Sequence, residues 1–187
     1  MSTAGRAPGR SQAGPHPPGG SPEVSGGRGA DTSEGFRRVA QALGERGHPH
    51  APRWLDASAR TSQEAADALG VAVGQIAKSV IFRRKSDQAA VLVVTSGDRR
   101  VDEKKVAARV GPLARADAEF VKAATGFSIG GVAPLAHSMP PVTLIDRELF
   151  RFDEIWAAAG HPNGVFRLSP QQLEALTGAP VADVVQE

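Results

Sequence analysis

Cysteine and tyrosine are both absent from the 187 residues of this chain. The absence of cysteine excludes disulfides, thiolate metal ligands and a cysteine nucleophile, and it favours a reducing, cytoplasmic location. The absence of tyrosine leaves Phe36, Trp54, Phe127 or an arginine to stack on the ring of a ligand. No apolar run approaches the roughly 18 to 20 residues that a membrane-spanning helix needs, so no membrane association is expected.

A strong net charge is missing as well. The chain has 22 Lys and Arg against 20 Asp and Glu, which gives a formal net charge of +2. So small an excess is not typical of a protein that coats nucleic acid. Any contact with RNA must therefore depend on a local basic patch.

The first 33 residues differ in composition from the rest of the chain. Gly, Pro, Ser and Ala dominate this segment, and Val24 is almost its only large apolar side chain. Such a segment buries too little apolar surface to offset the entropy lost on ordering. We predict a disordered tail over residues 1–33 and one globular domain over residues 34–187.

Helical periodicity and capping residues predict five helices in this domain. The predicted spans are residues 36–47, 61–70, 102–110, 117–124 and 169–178. In the second helix Thr61 and Glu64 form a candidate capping box, and Gly70 provides a stop. In the last helix Ser169 is the expected cap.

Apolar runs bounded by turn residues predict the strands. They are residues 53–56, 79–83, 89–95, 141–146 and 165–168, while residues 152–159 fit either a helix or a strand. The run at 89–95 is solidly apolar, which favours a central position in the sheet. Strands grouped in hairpins, without regular alternation with helices, predict an α+β fold around a mixed or antiparallel sheet.

Lys78 is the first candidate for a functional residue. It immediately precedes an apolar strand, and a lysine at the mouth of a sheet can hold a phosphate or orient a carbonyl group. Its position also fits an ordinary solvated lysine at the start of a strand.

The segment from Gly126 to Pro134 is the second candidate. Gly130 and Gly131 let backbone N–H groups approach a ligand, such as a carbonyl oxygen or an oxyanion, because no side chain intervenes. A tight structural turn explains the same glycines. His137 follows the loop and could move a proton, although a lone histidine in a polar loop is often a surface residue.

Metal chemistry and a serine triad are not expected. The pair His48 and His50 lacks a convincing third ligand, and no serine lies in a Gly-x-Ser-x-Gly elbow. We therefore expect no metal and no cofactor. The best local basic patch consists of Arg99, Arg100, Lys104 and Lys105, which also fits a solvated helix face.

Three segments together resemble the YbaK/prolyl-tRNA-synthetase-associated domain family of aminoacyl-tRNA deacylases. They are residues 75–82 (Gln-Ile-Ala-Lys-Ser-Val-Ile-Phe), residues 96–102 and residues 126–135. The resemblance covers residues 34–187 and leaves the tail uncovered. It implies an α+β fold with a twisted, partly barrel-like mixed sheet flanked by helices, and a trans-editing hydrolase as the function.

The resemblance also implies the roles of particular residues. Lys78 is the essential site residue, and the loop from Gly130 to Pro134 positions the aminoacyl ester at the 3′ end of the tRNA. We expect Ser128, Gly131 and His137 to contact the substrate, although some members of the family lack the histidine. If RNA binds, the patch at Arg99, Arg100, Lys104 and Lys105 is where we place the acceptor stem.

The substrate and the partners follow from the same resemblance. It implies a small amino acid, such as cysteine or alanine, on tRNA for proline, with prolyl-tRNA synthetase as a candidate partner of a monomeric enzyme. Two alternatives remain open. One is a non-catalytic tRNA- or synthetase-binding module of the same fold, and the other is a small-molecule binder or esterase that uses the same cleft.

Overall fold

The computed structural model describes residues 33–187, so the predicted tail lies outside the described residues except for Ser33. The helices are α1 (Glu34–Glu45), α2 (Ser62–Leu69), α3 (Glu103–Val110), α4 (Ala118–Thr125) and α5 (Pro170–Thr177). The strands are β1 (Arg53–Trp54), β2 (Ile76–Arg84), β3 (Ala90–Ser96), β4 (Leu113–Arg115), β5 (Val142–Asp146), β6 (Ile155–Ala158), β7 (Gly164–Leu168) and β8 (Val181–Ala182). Short 3-10 helices occupy Val73–Gln75 and Arg147–Arg151.

Side-chain caps fix where the helices begin. The capping side chains, each accepting a hydrogen bond from a first-turn amide, are Ser33, Thr61, Asp102, Asp117 and Ser169. These caps satisfy amides that have no partner inside the helix. All five predicted helices are therefore found. The box at Thr61 is only half formed, because the Glu64 carboxylate accepts from the amide of Arg60 at 3.2 Å instead.

The strands form one open mixed sheet. Its order is β1-β7-β6-β2-β3-β5-β8, and β4 pairs with the far end of β2. The predicted hairpin of β2 and β3 is antiparallel, whereas β3 pairs with β5 in parallel. β3 is buried along its whole length and lies between two partners, as its apolar sequence predicts. The predicted α+β fold with a mixed sheet flanked by helices is confirmed.

Several details of the sheet differ from the prediction. β2 begins at Ile76, so Lys78 lies inside the strand rather than before it. The ambiguous segment 152–159 contains strand β6. The strand predicted at residues 165–168 begins one residue earlier, because Gly164 already belongs to β7. The short strands β4 and β8 were not predicted, because two or three residues carry too little pattern and their pairing depends on distant partners.

The two faces of the sheet have separate hydrophobic cores. One face carries the largest cluster, which includes Val94, Phe127 and Phe166. The opposite face carries two smaller clusters. The α2 cluster consists of Leu55, Ala65, Ala66, Ile76, Trp156 and Val165. The α3 cluster consists of Phe82, Val91, Val93, Val101, Val106, Leu144, Ala182 and Val184.

Lys78 falls between the α2 and α3 clusters. Side chains alternate between the faces of a strand, so Lys78 shares a face with Ile76 and Phe82. Ile76 belongs to the α2 cluster and Phe82 to the α3 cluster. The sheet face is thus left open at this lysine. None of the helices found in residues 33–187 could cross a lipid bilayer.

Candidate active site

A cleft of about 670 Å³ opens on the sheet face beside Lys78. It is formed by the start of α2, the first half of β2, the loop around Gly130 and the β6–β7 hairpin. A cavity of this size lies within the range of small-molecule sites, which is roughly 300 to 1,000 Å³. The cleft therefore has room for a substrate group of moderate size.

Lys78 is the cationic group that β2 contributes to the cleft. It lies opposite Thr95 of β3, and its side chain is partly buried. Within residues 33–187, no carboxylate oxygen lies within 4.0 Å of its Nζ. Burial lowers the pKa of Lys78, the charge of Arg100 lowers it further, and Asp98 opposes both. The ammonium is thus incompletely solvated and available to an anionic or carbonyl ligand.

The first turn of α2 forms a second polar wall of the cleft. Thr61, Ser62 and Gln63 line the cavity at this point. The amide groups at a helix N-terminus point away from the helix and carry partial positive charge. They therefore reinforce the positive potential of Lys78. The described residues that line the cleft include no Asp, Glu or His, so no side-chain carboxylate or imidazole is placed there to act as a base.

Gly97 allows α2 and β3 to approach each other at the edge of the cleft. A Cβ atom at this position would lie 2.5 Å from the carbonyl oxygen of Val73 and 2.7 Å from the Cβ of Ser62. The Gly97 amide donates to the carbonyl oxygen of Ile76 at 2.7 Å. Only glycine fits this close approach.

The Gly126–Pro134 loop contributes Gly130 to the cleft. Gly130 has a φ of 90°, and the space where its Cβ would lie is bounded by Arg60 and Pro162. Gly131 backs closely onto His161, and its amide donates to the carbonyl oxygen of Ser128 at 3.0 Å. Lys78 and Gly130, which are 52 positions apart in the sequence, are therefore brought together.

Three other predicted site residues, Ser128, Pro134 and His137, lie outside the cleft lining. Ser128 is exposed and faces a neighbouring cavity, whereas Pro134 is buried. His137 Nε2 lies 2.6 Å from the carbonyl oxygen of Ala133, and its ring packs edge-on against Phe127. Burial lowers the pKa of His137, and although the bond to Ala133 opposes this, the charge of Arg38 adds to it. In this arrangement His137 supports the loop.

The predicted basic patch lies around the start of α3 and is partly neutralised. Arg99 pairs with Asp98 at 3.5 Å, and Lys105 pairs with Asp183 at 3.2 Å. Arg100 and Lys104 are exposed. Of the aromatic candidates for stacking, Phe127 is 1% exposed and Phe36 packs edge-on against Trp54.

Several cleft residues were missed by the sequence analysis. They are Arg60, Ser62, Gln63 and Trp156. The capping signal at Thr61 located the start of α2 correctly, and a helix N-terminus is a common place for anions. That signal could have suggested the α2 wall. Trp156 could not be placed, because its segment fitted a helix as well as a strand.

Comparison with known proteins gives consistent matches. Residues 56–176 match the family model of the aminoacyl-tRNA editing domain. The uncharacterized protein YwhH of Bacillus subtilis (strain 168) is 36% identical over 120 residues, which are 64% of this chain and 76% of the relative. A crystal structure described as a candidate trans-editing enzyme for prolyl tRNA synthetase is 44% identical, with a TM-score of 0.77 over 83% of this chain and 99% of that one. The hypothetical protein APE2540 is 31% identical, with a TM-score of 0.75 over 80% and 99% of the two chains.

Proposed function

This chain belongs to the aminoacyl-tRNA editing domain family, and on that premise we propose that it is a trans-editing deacylase that hydrolyses the ester of a mischarged tRNA. The finer proposal follows the YbaK-like resemblance of the sequence. The amino acid is small, the tRNA is that for proline, and prolyl-tRNA synthetase is the candidate partner in the cytoplasm. Residues 34–187 form the deacylase domain.

The observation that carries this proposal is the environment of Lys78. The ammonium lies in a cleft, is partly buried, and has no carboxylate within 4.0 Å among the described residues. A partly buried cation without a carboxylate partner lowers the stability of the fold unless a ligand binds to it. An ester carbonyl that becomes an oxyanion is such a ligand, because its negative charge develops during the reaction.

The reaction needs little more than positioning and electrostatic stabilisation. A water oxygen forms a bond to the ester carbonyl carbon, and the negative charge moves to the carbonyl oxygen. The Lys78 ammonium and the amides of the α2 first turn or of Gly130 donate hydrogen bonds to that oxygen. The bond to the ribose oxygen then breaks, and the proton lost by water ends on the ribose hydroxyl. A hydroxyl of the ribose can relay this proton, since the cleft lining formed by residues 33–187 holds no carboxylate or imidazole.

The apolar wall of the cleft sets the size of the amino acid. Ile76, Val132 and Trp156 line the cavity with the small residues Ala157 and Ala158. One methylene group in such a pocket changes binding by only about 1 to 3 kcal/mol. Discrimination by size therefore favours small side chains over large ones more strongly than it separates small ones from each other.

The test is deacylation of a panel of mischarged tRNAs by the wild type, Lys78→Met and Lys85→Met. Lys85 is exposed in the β2–β3 turn and serves as the matched control. We expect release from one or a few small-amino-acid species, a loss of about 10²- to 10³-fold in Lys78→Met, and no loss in Lys85→Met. Where cysteine is released, identifying the product distinguishes hydrolysis from attack by the cysteine thiol, which yields a thiolactone.

Two results would contradict the proposal. Binding of charged tRNA without release from any species would indicate a non-catalytic module. Equal rates for Lys78→Met and the wild type would remove Lys78 from the mechanism.

A further inference from the structure

A second cavity, of about 630 Å³, adjoins the cleft on the side of α1 and α4. Its polar lining includes Arg38, Arg60, Lys122, Ser128 and Ser138. We call these five residues the basic pocket. Glu34 also lines the cavity and is the acidic residue among its described lining.

The cations of the basic pocket are not neutralised within the fold. Across residues 33–187, no carboxylate oxygen lies within 4.0 Å of the charged groups of Arg38, Arg60 or Lys122. Arg38 donates to the carbonyl oxygen of Thr125 at 3.1 Å, and its guanidinium lies 4.4 Å from the centroid of the Phe127 ring. Its Nε is buried and has no hydrogen-bond partner among the described residues. The guanidinium is thus held in place with donor capacity left over.

Lys122 is placed on the same pocket by α4. Its ammonium donates to the carbonyl oxygen of Gly126 at 3.1 Å, and two hydrogens stay available for another acceptor. Ser138 Oγ lies near the Arg38 guanidinium, since a Cβ at Gly126 would be 2.4 Å from each. Two positive groups and a hydroxyl therefore surround one space, an arrangement suited to phosphate oxygens.

The basic pocket is continuous with the cleft. Arg60, Ile129 and Pro162 line both cavities and form the boundary between them. Ile129 is 59% exposed at this boundary, although it is a large apolar residue. A ligand that fills both cavities would have a reacting group near Lys78, an apolar surface against Ile129, and an anion beside Arg38 and Lys122.

We infer that the basic pocket binds the phosphodiester that precedes the terminal nucleoside of the aminoacyl-tRNA, an inference that rests on the proposed function. The ester end of such a ligand lies in the cleft, and the RNA backbone leaves across Ile129. The basic pocket, rather than the surface of Arg99, Arg100, Lys104 and Lys105, is then the main electrostatic contact of the 3′ end. Charge attraction of this kind is sequence-independent and weakens as salt rises.

The test compares two substrates that differ in their phosphates. One is the charged tRNA, and the other is the same amino acid esterified to adenosine without phosphate. The variants are Lys122→Gln in the basic pocket and Lys104→Gln on α3, each of which removes one exposed cation from a helix. The measured quantity is the ratio of kcat/KM for the tRNA to kcat/KM for the adenosine ester, at several salt concentrations.

We expect Lys122→Gln to lower this ratio about tenfold through KM and to reduce the salt slope by about 1. Lys104→Gln should keep the wild-type ratio. An unchanged ratio in Lys122→Gln, with the wild type hydrolysing both substrates, overturns the inference and leaves the proposed function in place. A fall in Lys104→Gln alone assigns the RNA to the α3 surface and also overturns it. Failure of the wild type to hydrolyse either substrate defeats the proposed function, and the inference falls with it.

Discussion

The cleft and the surface next to the C-terminus differ in whether their cations are paired with carboxylates. In the cleft, Lys78 is partly buried and no carboxylate of residues 33–187 approaches it within 4.0 Å. Near the C-terminus, each of Arg99, Lys105, Arg147 and Arg151 pairs with Asp98, Glu148 or Asp183. We call this second region the paired surface. A cation that pairs with a carboxylate of the same chain contributes to the stability of the fold. A partly buried cation without such a partner lowers the stability and is available to bind a ligand.

The largest effect on stability is expected at Gly97, which lies between the two regions. Gly97→Ala places a Cβ against the carbonyl oxygen of Val73 and the Cβ of Ser62, so the 3-10 helix and the start of α2 must shift away from the sheet. We expect a loss of about 1 to 3 kcal/mol in urea unfolding, together with reduced deacylation. Gly44→Ala is the control, because it is inside α1 and, beyond its chain neighbours and its own helix backbone, no atom of residues 33–187 lies within 4 Å of its Cβ position. That change should stabilise the protein by up to about 1 kcal/mol. Equal effects of the two changes would refute the close approach.

A smaller loss is expected at Arg151 on the paired surface. Its guanidinium donates to Asp98 and to Ser96 Oγ, each at 2.9 Å, and its Nε donates to the carbonyl oxygen of Glu148 at 2.7 Å. Because the side chain is partly exposed, we expect Arg151→Met to cost about 1 to 2 kcal/mol in urea unfolding. Deacylation at a temperature well below Tm should stay near the wild-type rate. A selective loss of kcat would show that Arg151 takes part in the reaction in the cleft. It would then contradict the distinction between the cations of the cleft and those of the paired surface.

Replacement of Lys78 is expected to raise the stability of the protein instead of lowering it. Burial lowers the pKa of Lys78 in the folded state, so the unfolded chain binds more protons between the two pKa values and stability rises with pH there. Lys78→Met removes the unpaired charge and should raise Tm by about 1 to 3 °C at neutral pH. In this variant the increase of stability with pH near the lysine pKa should also become smaller. A lower Tm than that of the wild type would show that Lys78 has a structural role, as Arg151 has.

The smallest effect is expected in acid at Asp183. The hydrogen bond from Lys105 lowers the pKa of Asp183 and outweighs burial, and the charges of Lys105 and Arg147 lower it further. This contribution is present above the unfolded-state pKa, which is about 3.9, and is lost as the pH falls through the folded-state value. Asp183→Asn should therefore lose less stability than the wild type on acidification below about pH 4, as measured by urea unfolding. Asp56→Asn, at an exposed site, is the control. Identical acid profiles for Asp183→Asn and the wild type would contradict the contribution of this pair.

The helices could be predicted because their ends are determined by contacts between residues that are close in sequence. Thr61, Asp117 and Ser169 each bond to an amide three residues later, so the sequence alone contains both partners. The hairpin of β2 and β3 is equally local. The pairing of β3 with β5 and of β5 with β8 is not, because it depends on segments far apart in the chain.

The candidate site could be predicted only in part, for the same reason. Lys78 and the glycine loop were found through a resemblance between whole segments. That Gly130 reaches the cleft and His137 does not is decided by packing between distant segments, such as the close approach of Gly131 to the backbone of His161. Arg38 and Lys122 share a cavity although they belong to α1 and α4. No spacing in the sequence indicates that arrangement.

On the sheet face that carries Lys78, the hydrophobic core is divided into the α2 cluster and the α3 cluster. As a result, the strand that carries Lys78 and the helix that forms the wall of the cleft are held by different contacts. Lys78 belongs to β2, which is fixed by the long pairing with β3. The wall opposite comes from α2, which packs on a small cluster of its own around Ala65, Ile76 and Trp156. Replacements of the α2 members of that cluster, Ala65 and Ala66, can move the wall without touching the pairing of β2 with β3. The shape of the cleft can thus change through a handful of substitutions, with no need to rebuild the fold.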